Sequence, residues 1–160
     1  MFDFFKKKPV ENDHNIYAPA TGVFMPIAEV PDDVFSQKMM GDGFAVVPDE
    51  GTIFSPVSGT VASIFPTKHA IGIKTDDERD VIVHMGIETV DLGGSPFELY
   101  VKVGNKVNSK TKLAKMDLAE IAKEERDNHV IVVFPELPAD KLELSSNEQV
   151  SYGNRVGTLL

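Results

Sequence analysis

Two histidines, His69 and His84, are the residues of this sequence best suited to chemistry. They stand near the two ends of the stretch TKHAIGIKTDDERDVIVH, in which two apolar runs flank a charged middle. Histidine has an ordinary pKa of about 6.5, so at neutral pH one ring nitrogen is free to act as a nucleophile or a base. Apolar surroundings keep the ring neutral because they disfavour the imidazolium. The second imidazole can donate a hydrogen bond to negative charge on whatever the first one captures, and Thr67 can add a hydroxyl.

A β-hairpin would bring these two histidines together. Strands are predicted over 70–74 and 81–85, because both runs are short and apolar and turn-forming residues separate them. A loop with an even number of residues would place His69 directly opposite His84, with Cα atoms about 4.5–5.5 Å apart and both rings on one face. A loop with an odd number of residues, or a bulge, would break that register.

The predicted register divides the apolar residues of the hairpin between its two faces. The face that carries the histidines is expected to include Ile71, Ile73 and Ile82. The opposite face is expected to take the remaining residues, Ala70, Gly72, Val81 and Val83. Because both faces are apolar, one can form the core, and the other must be covered by protein or form a patch that docks a partner.

The residues alone leave three functions open for the histidine pair. Two facing histidines can be a structural hydrogen-bonded pair, as in an arbitrary hairpin. They can bind zinc with a carboxylate such as Glu88, but two histidines are too few alone and the usual spaced set of ligands is missing, so we expect no metal. The third function is acid–base or covalent chemistry at a ring nitrogen. The other two histidines, His14 and His129, are expected to be structural or exposed.

Composition indicates a single-domain soluble protein of a reducing compartment. A chain of 160 residues is long enough for one hydrophobic core, and its 42% hydrophobic and 26% charged residues are ordinary for a globular protein. The absence of cysteine excludes disulfides and thiolate metal sites, and it fits the cytoplasm. A formal net charge of −9 argues against binding to nucleic acid and suits basic protein partners.

The pattern of short apolar runs and turn residues predicts an all-β fold, an antiparallel β-sandwich or barrel with one or two short helices. A weak internal repeat, APATG at 18–22 and SPVSG at 55–59, indicates internal pseudo-symmetry. A helix is predicted over 117–127, because Asp117 is a good N-cap and Glu120 follows three residues later. Strands are predicted over 44–47, 70–74, 81–85, 97–101, 129–134, 141–144 and 155–159.

We expect residues 1–16 to form a flexible tail and residues 17–160 to form one domain. The start, MFDFFKKKPV, lacks the continuous apolar region of about 7–15 residues that a secretory signal needs. Aromatic and basic residues of the tail allow at most a weak contact with an anionic membrane surface. They are Phe2, Phe4, Phe5, Lys6, Lys7 and Lys8.

Three segments, KMMGDGFAVVPDEGTIFSPVSGTV, FPTKHAIGIKT and VIVHMGIETVDLGG, resemble the glucose-type enzyme IIA domain of the bacterial phosphoenolpyruvate-dependent sugar phosphotransferase system. The resemblance extends from about Ile16 to Leu160 and is most specific in TKHA and HMGIETV. It implies an antiparallel β-sandwich with a shallow active-site depression. It also implies a cytoplasmic phosphotransferase component that forms a phosphohistidine intermediate and needs no cofactor. The phosphoryl group would arrive from the histidine-containing phosphocarrier protein and leave to the IIB domain of a sugar permease.

The resemblance gives each histidine a role. His84 would be the phosphoryl acceptor, and His69 would hydrogen-bond the phosphoryl oxygens and assist onward transfer. Thr67 would support His69. An apolar ring with acidic neighbours would receive both partners. The matching positions here are Asp32, Val34, Phe35, Met39, Met40, Phe44, Phe65, Ile82 and Glu88.

Two positions depart from the family pattern. Glu88 stands where the family usually has aspartate, and NSKTKL lacks the usual glycine near residue 110. No permease domain is attached, so we expect a free-standing member. Two rival functions stay open. One is a regulatory binding protein of the same fold that does not pass phosphate on, and the other is a biotinyl- or lipoyl-type carrier, which would need a lysine such as Lys115 at a hairpin tip.

Overall fold

Short antiparallel strands make up most of the regular structure of this chain. The computed structural model describes residues 13–160. The strands are β1 (Asn15–Tyr17), β2 (Gly22–Pro26), β3 (Asp42–Pro48), β4 (Thr52–Phe54), β5 (Gly59–Ile64), β6 (Ala70–Thr75), β7 (Asp80–Met85), β8 (Phe97–Leu99), β9 (Lys106–Val107), β10 (Lys112–Met116), β11 (Val130–Phe134), β12 (Leu142–Leu144), β13 (Gln149–Val150) and β14 (Arg155–Leu159). The helices are α1 (Asp33–Ser36) and α2 (Leu118–Lys123), and 3-10 turns cover Ile27–Glu29, Thr89–Leu92 and Ala139–Lys141.

The strands form a sandwich around one main core. An eight-stranded sheet has the order β13-β2-β3-β11-β7-β6-β5-β9, and two three-stranded sheets have the orders β1-β14-β12 and β4-β10-β8. Buried side chains from all three sheets, among them Ile16, Phe44 and Leu113, pack into this core. Because side chains alternate along a strand, neighbours such as Ala45 and Ile131 point to the other face of the large sheet, where a smaller apolar cluster lies. The predicted all-β antiparallel sandwich is confirmed.

The predicted pseudo-symmetry is visible in the order of the large sheet, which matches β2-β3 on one side with β5-β6 on the other. The two repeats also bind each other reciprocally. The Tyr17 amide donates to the Pro56 carbonyl over 2.8 Å, and the Phe54 amide donates to the Pro19 carbonyl over 2.7 Å. The glycines at 22 and 59 then begin β2 and β5, where a Cβ would lie 1.9 Å and 2.2 Å from a carbonyl oxygen of the neighbouring strand.

The hairpin of β6 and β7 has a different register from the one predicted. Its loop has an odd number of residues, since the Thr75 amide donates to the Arg79 carbonyl and Glu78 takes a left-handed backbone with φ 68°. His84 therefore lies opposite Ala70, and the prediction that it directly opposes His69 is wrong.

The shift by one residue also changes the two faces of the hairpin. The main core takes Ile71, Ile73, Val81 and Val83. The face of His84 takes Ala70, Gly72 and Ile82. Of the isoleucines expected beside the histidines, Ile82 is therefore placed as predicted, whereas Ile71 and Ile73 are not.

The predicted elements mostly exist with shifted ends. The strand over 155–159 is as predicted, and the strands predicted over 97–101, 129–134 and 141–144 begin or end one or two residues inside those bounds. Helix α2 begins after Asp117, whose carboxylate accepts the Glu120 amide as expected of an N-cap. It ends at Lys123, before the predicted end.

The boundary of the predicted tail is wrong within the described residues. Strand β1 already begins at Asn15 and pairs with β14, and the side chain of Ile16 is fully buried in the main core. The alternation of polar and apolar residues is too short here to distinguish a three-residue strand from a polar tail. The aromatic and basic residues that suggested a weak membrane contact lie outside the described residues.

We expect Ile16→Ala to lower the free energy of unfolding by about 2–5 kcal/mol, because it removes a buried side chain and leaves a cavity between two sheets. Urea denaturation measures the change. Val103→Ala is the matched control, since Val103 is 61% exposed and its truncation should cost much less. Equal stability of the two variants would show that β1 is not part of the core.

Candidate active site

The rings of His69 and His84 meet although their strand positions are not opposed. Their centroids are 5.0 Å apart and their planes cross at 77°. His69 precedes β6, in a tight turn in which Lys68 has a left-handed backbone. The Met85 amide donates to the His69 carbonyl over 2.7 Å, which joins the turn to the end of β7. The turn thus brings His69 to a ring that the ladder alone would not place beside it.

The hydrogen bond of His84 leaves one of its ring nitrogens free. Nδ1 lies 2.8 Å from the Gly86 carbonyl oxygen, which can only accept, so Nδ1 carries the proton. Nε2 then has an unprotonated lone pair. Gly86 has a φ of 86°, which favours glycine, and a Cβ there would lie 2.3 Å from the Thr89 methyl carbon. A glycine two residues beyond the histidine therefore determines which ring nitrogen of His84 keeps a free lone pair.

Both histidines are held in the neutral form. The pKa of His84 is lowered to about 4, chiefly by burial and also by the adjacent His69, while the Gly86 carbonyl and the Asp32 carboxylate act in the opposite direction. Burial also lowers the pKa of His69. Both rings are therefore uncharged at neutral pH, and the Nε2 lone pair of His84 is available.

Thr67 contacts the second histidine as predicted. Its Oγ1 lies 2.5 Å from Nδ1 of His69. When the hydroxyl donates to this nitrogen, the proton of the neutral ring must be on Nε2, which then becomes a donor. The pair can thus provide one nitrogen that attacks and one N–H that donates to negative charge.

Helix α1 places an aromatic ring against His84. Asp32 is its N-cap, and the carboxylate accepts the amides of Val34 and Phe35 over 2.9 Å and 3.4 Å. Phe35 is buried, with its ring 5.0 Å from that of His84 in an edge contact. This helix was not among the predicted elements, although Asp32 stands directly before the segment DVF and aspartate often caps the start of a helix.

The apolar residues expected at a partner surface include some that are exposed and some that pack beside the two rings or on the smaller cluster. Val34 and Met39 are 42% and 70% exposed, and Phe65, at 39%, has its ring 5.5 Å from that of His69. Met40 and Ile82 are partly buried against the smaller cluster. We call these five residues together with Phe35, namely Val34, Phe35, Met39, Met40, Phe65 and Ile82, the rim.

Phe44 is not part of this surface, contrary to expectation. Its side chain is fully buried in the main core and stacks on Phe24 with ring centroids 5.4 Å apart. The reason is the alternation of β3, which points Ala45 towards the face of His84 and Phe44 away from it. A partner cannot contact Phe44 directly.

The remaining candidates lie apart from the two rings. Glu88 is exposed in the turn after Gly86 and has a left-handed backbone, and its carbonyl accepts Nε–H of Arg126 over 3.2 Å. His14 pairs with Asp77 at the far end of the hairpin. Lys115 lies within β10 and not at the hairpin tip that a biotinyl- or lipoyl-type carrier would need for its lysine.

Sequence reasoning missed the segment that fixes the turn after His84. The Gly86 amide donates to the His129 carbonyl over 2.7 Å, and the Ile87 amide donates to the Asp127 carbonyl over 3.0 Å. His129 is buried, as expected of a structural histidine. These are backbone contacts, so the side-chain pattern carried no signal for them. Within residues 13–160, no three His, Asp or Glu side chains come together in a group that could hold a metal ion.

Comparison with known proteins shows the family. The model of the phosphoenolpyruvate-dependent sugar phosphotransferase system EIIA 1 family matches residues 14–138. The glucose-specific EIIA component of Staphylococcus aureus strain COL is 48% identical over 118 residues, which are 74% of this chain and 71% of that protein. The glucose-specific EIICBA component of Streptococcus pneumoniae is 50% identical over 119 residues, or 74% of this chain and 16% of that protein.

A solved structure supports the same assignment. The structure of glucose permease IIA from Mycoplasma capricolum superposes with a TM-score of 0.83 at 35% identity and covers 98% of both chains. In the part of this chain that the structure describes, no helix has the length and apolar character to cross a membrane. The matched family model, the relatives and the sandwich agree, and the chain belongs to the EIIA 1 family, as a phosphocarrier component of a phosphoenolpyruvate-dependent sugar phosphotransferase system.

Proposed function

We propose that His84 carries the phosphoryl group on Nε2 as a phosphohistidine. The observation that supports this most is the bond from Nδ1–H to the Gly86 carbonyl, which leaves Nε2 as the free nucleophile. Nε2 forms a P–N bond while the P–N bond in the donor's phosphohistidine breaks, and the donor's ring nitrogen regains its lone pair. Nδ1 keeps its proton throughout, so no base is needed.

The Gly86 carbonyl contributes more after transfer than before it. When Nε2 bonds to phosphorus, the ring that keeps its Nδ1 proton becomes positively charged. The hydrogen bond to Gly86 then becomes charge-assisted, and such bonds are roughly twice as strong as neutral ones. A carbonyl that is already in place, 2.8 Å from Nδ1, stabilises this charge without reorganisation.

His69 is proposed to bind the phosphoryl oxygens. Its ring centroid is 5.0 Å from that of His84, and its Nδ1 is occupied by Thr67. Nε2–H of His69 can therefore donate to an oxygen of the group on His84 and orient it for departure. Phosphoryl transfer depends on this kind of positioning and charge stabilisation, and needs little covalent help from the protein.

The rim is proposed to receive two partners in turn in the cytoplasm. The phosphoryl donor is the histidine-containing phosphocarrier protein, and the acceptor is the IIB domain of a sugar permease. Exposed apolar residues such as Val34, Met39 and Phe65 form an apolar surface from which a bound partner would exclude water. The flexible methionine side chain adapts to partners of different shape. The Asp32 carboxylate at the N-cap of α1, the exposed Glu88 and the net charge of −9 favour basic partner surfaces.

We expect His84→Gln to take up no phosphate, and His69→Ala to accept phosphate but pass it on at least about tenfold more slowly, because it loses one donor to the phosphoryl group. The assay incubates the protein with phosphoenolpyruvate, enzyme I and the phosphocarrier protein and measures acid-labile phosphate. A IIB domain from a glucose-specific permease is then added. Labelling of the His84 variant would overturn the assignment. Normal labelling with no transfer to any IIB domain would favour a regulatory protein that does not pass phosphate on.

We expect Val34→Asn to raise the KM for the phosphocarrier protein about five- to tenfold, because it removes an apolar contact at the centre of the interface. Val103→Asn is the matched control, since Val103 is equally apolar and 61% exposed but lies outside the rim. Steady-state labelling rates at varied donor concentration give both KM values. An equal change in the two variants would mean that the rim is not the docking surface.

The free energy of unfolding should fall as the pH drops from about 6.5 to about 4. The unfolded chain protonates His84 near its ordinary pKa of about 6.5, whereas the folded chain does so only near pH 4, so the unfolded state binds more protons in this window. Between pH 7 and pH 4.5 this residue should cost roughly 2 kcal/mol of stability. Urea denaturation of His84→Gln at both pH values should show a loss smaller by about that amount. An unchanged pH dependence would show that His84 is not held neutral by the fold.

A further inference from the structure

The peptide units of Met85 and Gly86 form a junction that connects both histidines. The Met85 amide donates to the His69 carbonyl, and the Gly86 carbonyl accepts Nδ1–H of His84. The Gly86 amide donates to the His129 carbonyl. Three of the four backbone polar groups of these two residues therefore bind backbone or the reactive ring, and the Met85 carbonyl is the remaining one.

Thr89 satisfies that last group through its side chain. Its Oγ1–H donates to the Met85 carbonyl over 2.6 Å, and the residue is completely buried. Its methyl carbon lies 2.3 Å from the position that a Cβ on Gly86 would occupy. The hydroxyl closes the turn from Met85 to Thr89, and the methyl packs on the glycine whose carbonyl binds His84.

We infer that Thr89 is a positioning residue for phosphoryl transfer, which acts by holding the Met85–Gly86 junction so that the Gly86 carbonyl faces Nδ1 of His84. This rests on the proposed function and deepens it. The Thr89 hydroxyl bonds to the Met85 carbonyl and to neither ring, so its effect must pass through the backbone. Without its hydroxyl, the buried Met85 carbonyl lacks this side-chain partner, and the junction can rotate to find another.

The consequence is a change in the tautomer of His84. When the Gly86 carbonyl no longer faces Nδ1, the proton of the neutral ring has no fixed site and part of the population carries it on Nε2. A ring with its proton on Nε2 has no lone pair there and cannot accept a phosphoryl group at that nitrogen. The rate of acceptance falls in proportion to the lost tautomer and to the lost alignment.

Three substitutions separate the hydroxyl from the shape of Thr89. Thr89→Val keeps the shape and removes the donor, Thr89→Ser keeps the donor and removes the methyl, and Thr89→Ala removes both. Nitrogen NMR of the His84 ring, without any partner present, reports which nitrogen is protonated. Rapid-quench labelling from the phosphorylated phosphocarrier protein gives the rate of acceptance, and thermal unfolding gives the stability of each variant.

We expect Thr89→Val to shift the His84 proton partly to Nε2 and to slow acceptance about tenfold, while Thr89→Ser keeps the wild-type tautomer and a rate within about twofold. If the valine variant does not fold, the comparison of serine with alanine tests the same hydroxyl. A wild-type tautomer and rate in the folded valine or alanine variant would overturn the inference, as would a serine variant that is equally impaired. If the wild-type protein takes up no phosphate, the proposed function fails, but the NMR comparison still decides the role of Thr89.

Discussion

The hydrogen bond from Nδ1 of His84 to the Gly86 carbonyl is the constraint on which the site depends. It selects one tautomer of a ring that would otherwise interconvert between two, and so determines which nitrogen has a free lone pair. The bond is local, but the position of its acceptor is not. Backbone contacts from the segment before β11 hold Gly86, and Gly86 can adopt its positive φ only because it has no side chain. The nitrogen with the free lone pair is thus specified by backbone geometry that involves the ends of several strands.

Burial contributes the second condition. A histidine on an open surface would be partly protonated at neutral pH, and its attacking lone pair would be lost. Contact with the edge of Phe35 and with the ring of His69 removes water from His84 and favours the uncharged form. The same apolar surroundings are accessible enough to be a docking surface. Helix α1, which supplies Phe35, is a single capped turn. This short helix both helps to keep the His84 ring neutral and forms part of the rim.

Much of this could be predicted from the sequence, because the informative signals are local. Alternating apolar runs predicted the sandwich, the repeat of proline and glycine predicted its pseudo-symmetry, and the Asp117 cap predicted α2. The position of His69 relative to His84 could not be predicted, since it depends on one residue more or less in a charged loop and on the backbone of Glu78. Phe44 was misplaced because the resemblance supplied its position in the sequence, whereas the alternation of side chains along β3 decides which face it takes. The contacts that hold Gly86 involve backbone groups, which leave no trace in residue type.

The pseudo-symmetry of the fold has a consequence for how the two partners bind. The hairpins β2-β3 and β5-β6 correspond to each other in the large sheet. Their connections differ, since residues 65–69 connect β5 to β6 and the longer segment 27–41 connects β2 to β3. The pseudo-symmetric fold therefore carries one histidine pair on one face. Under the proposed function, donor and acceptor both need that face and exclude each other. Each cycle must then include a complete dissociation, and tight binding to either partner would stall the relay. Both complexes should therefore have low affinity and fast dissociation. The rate of the whole cycle would then depend on the dissociation of the partners as much as on the chemistry at His84.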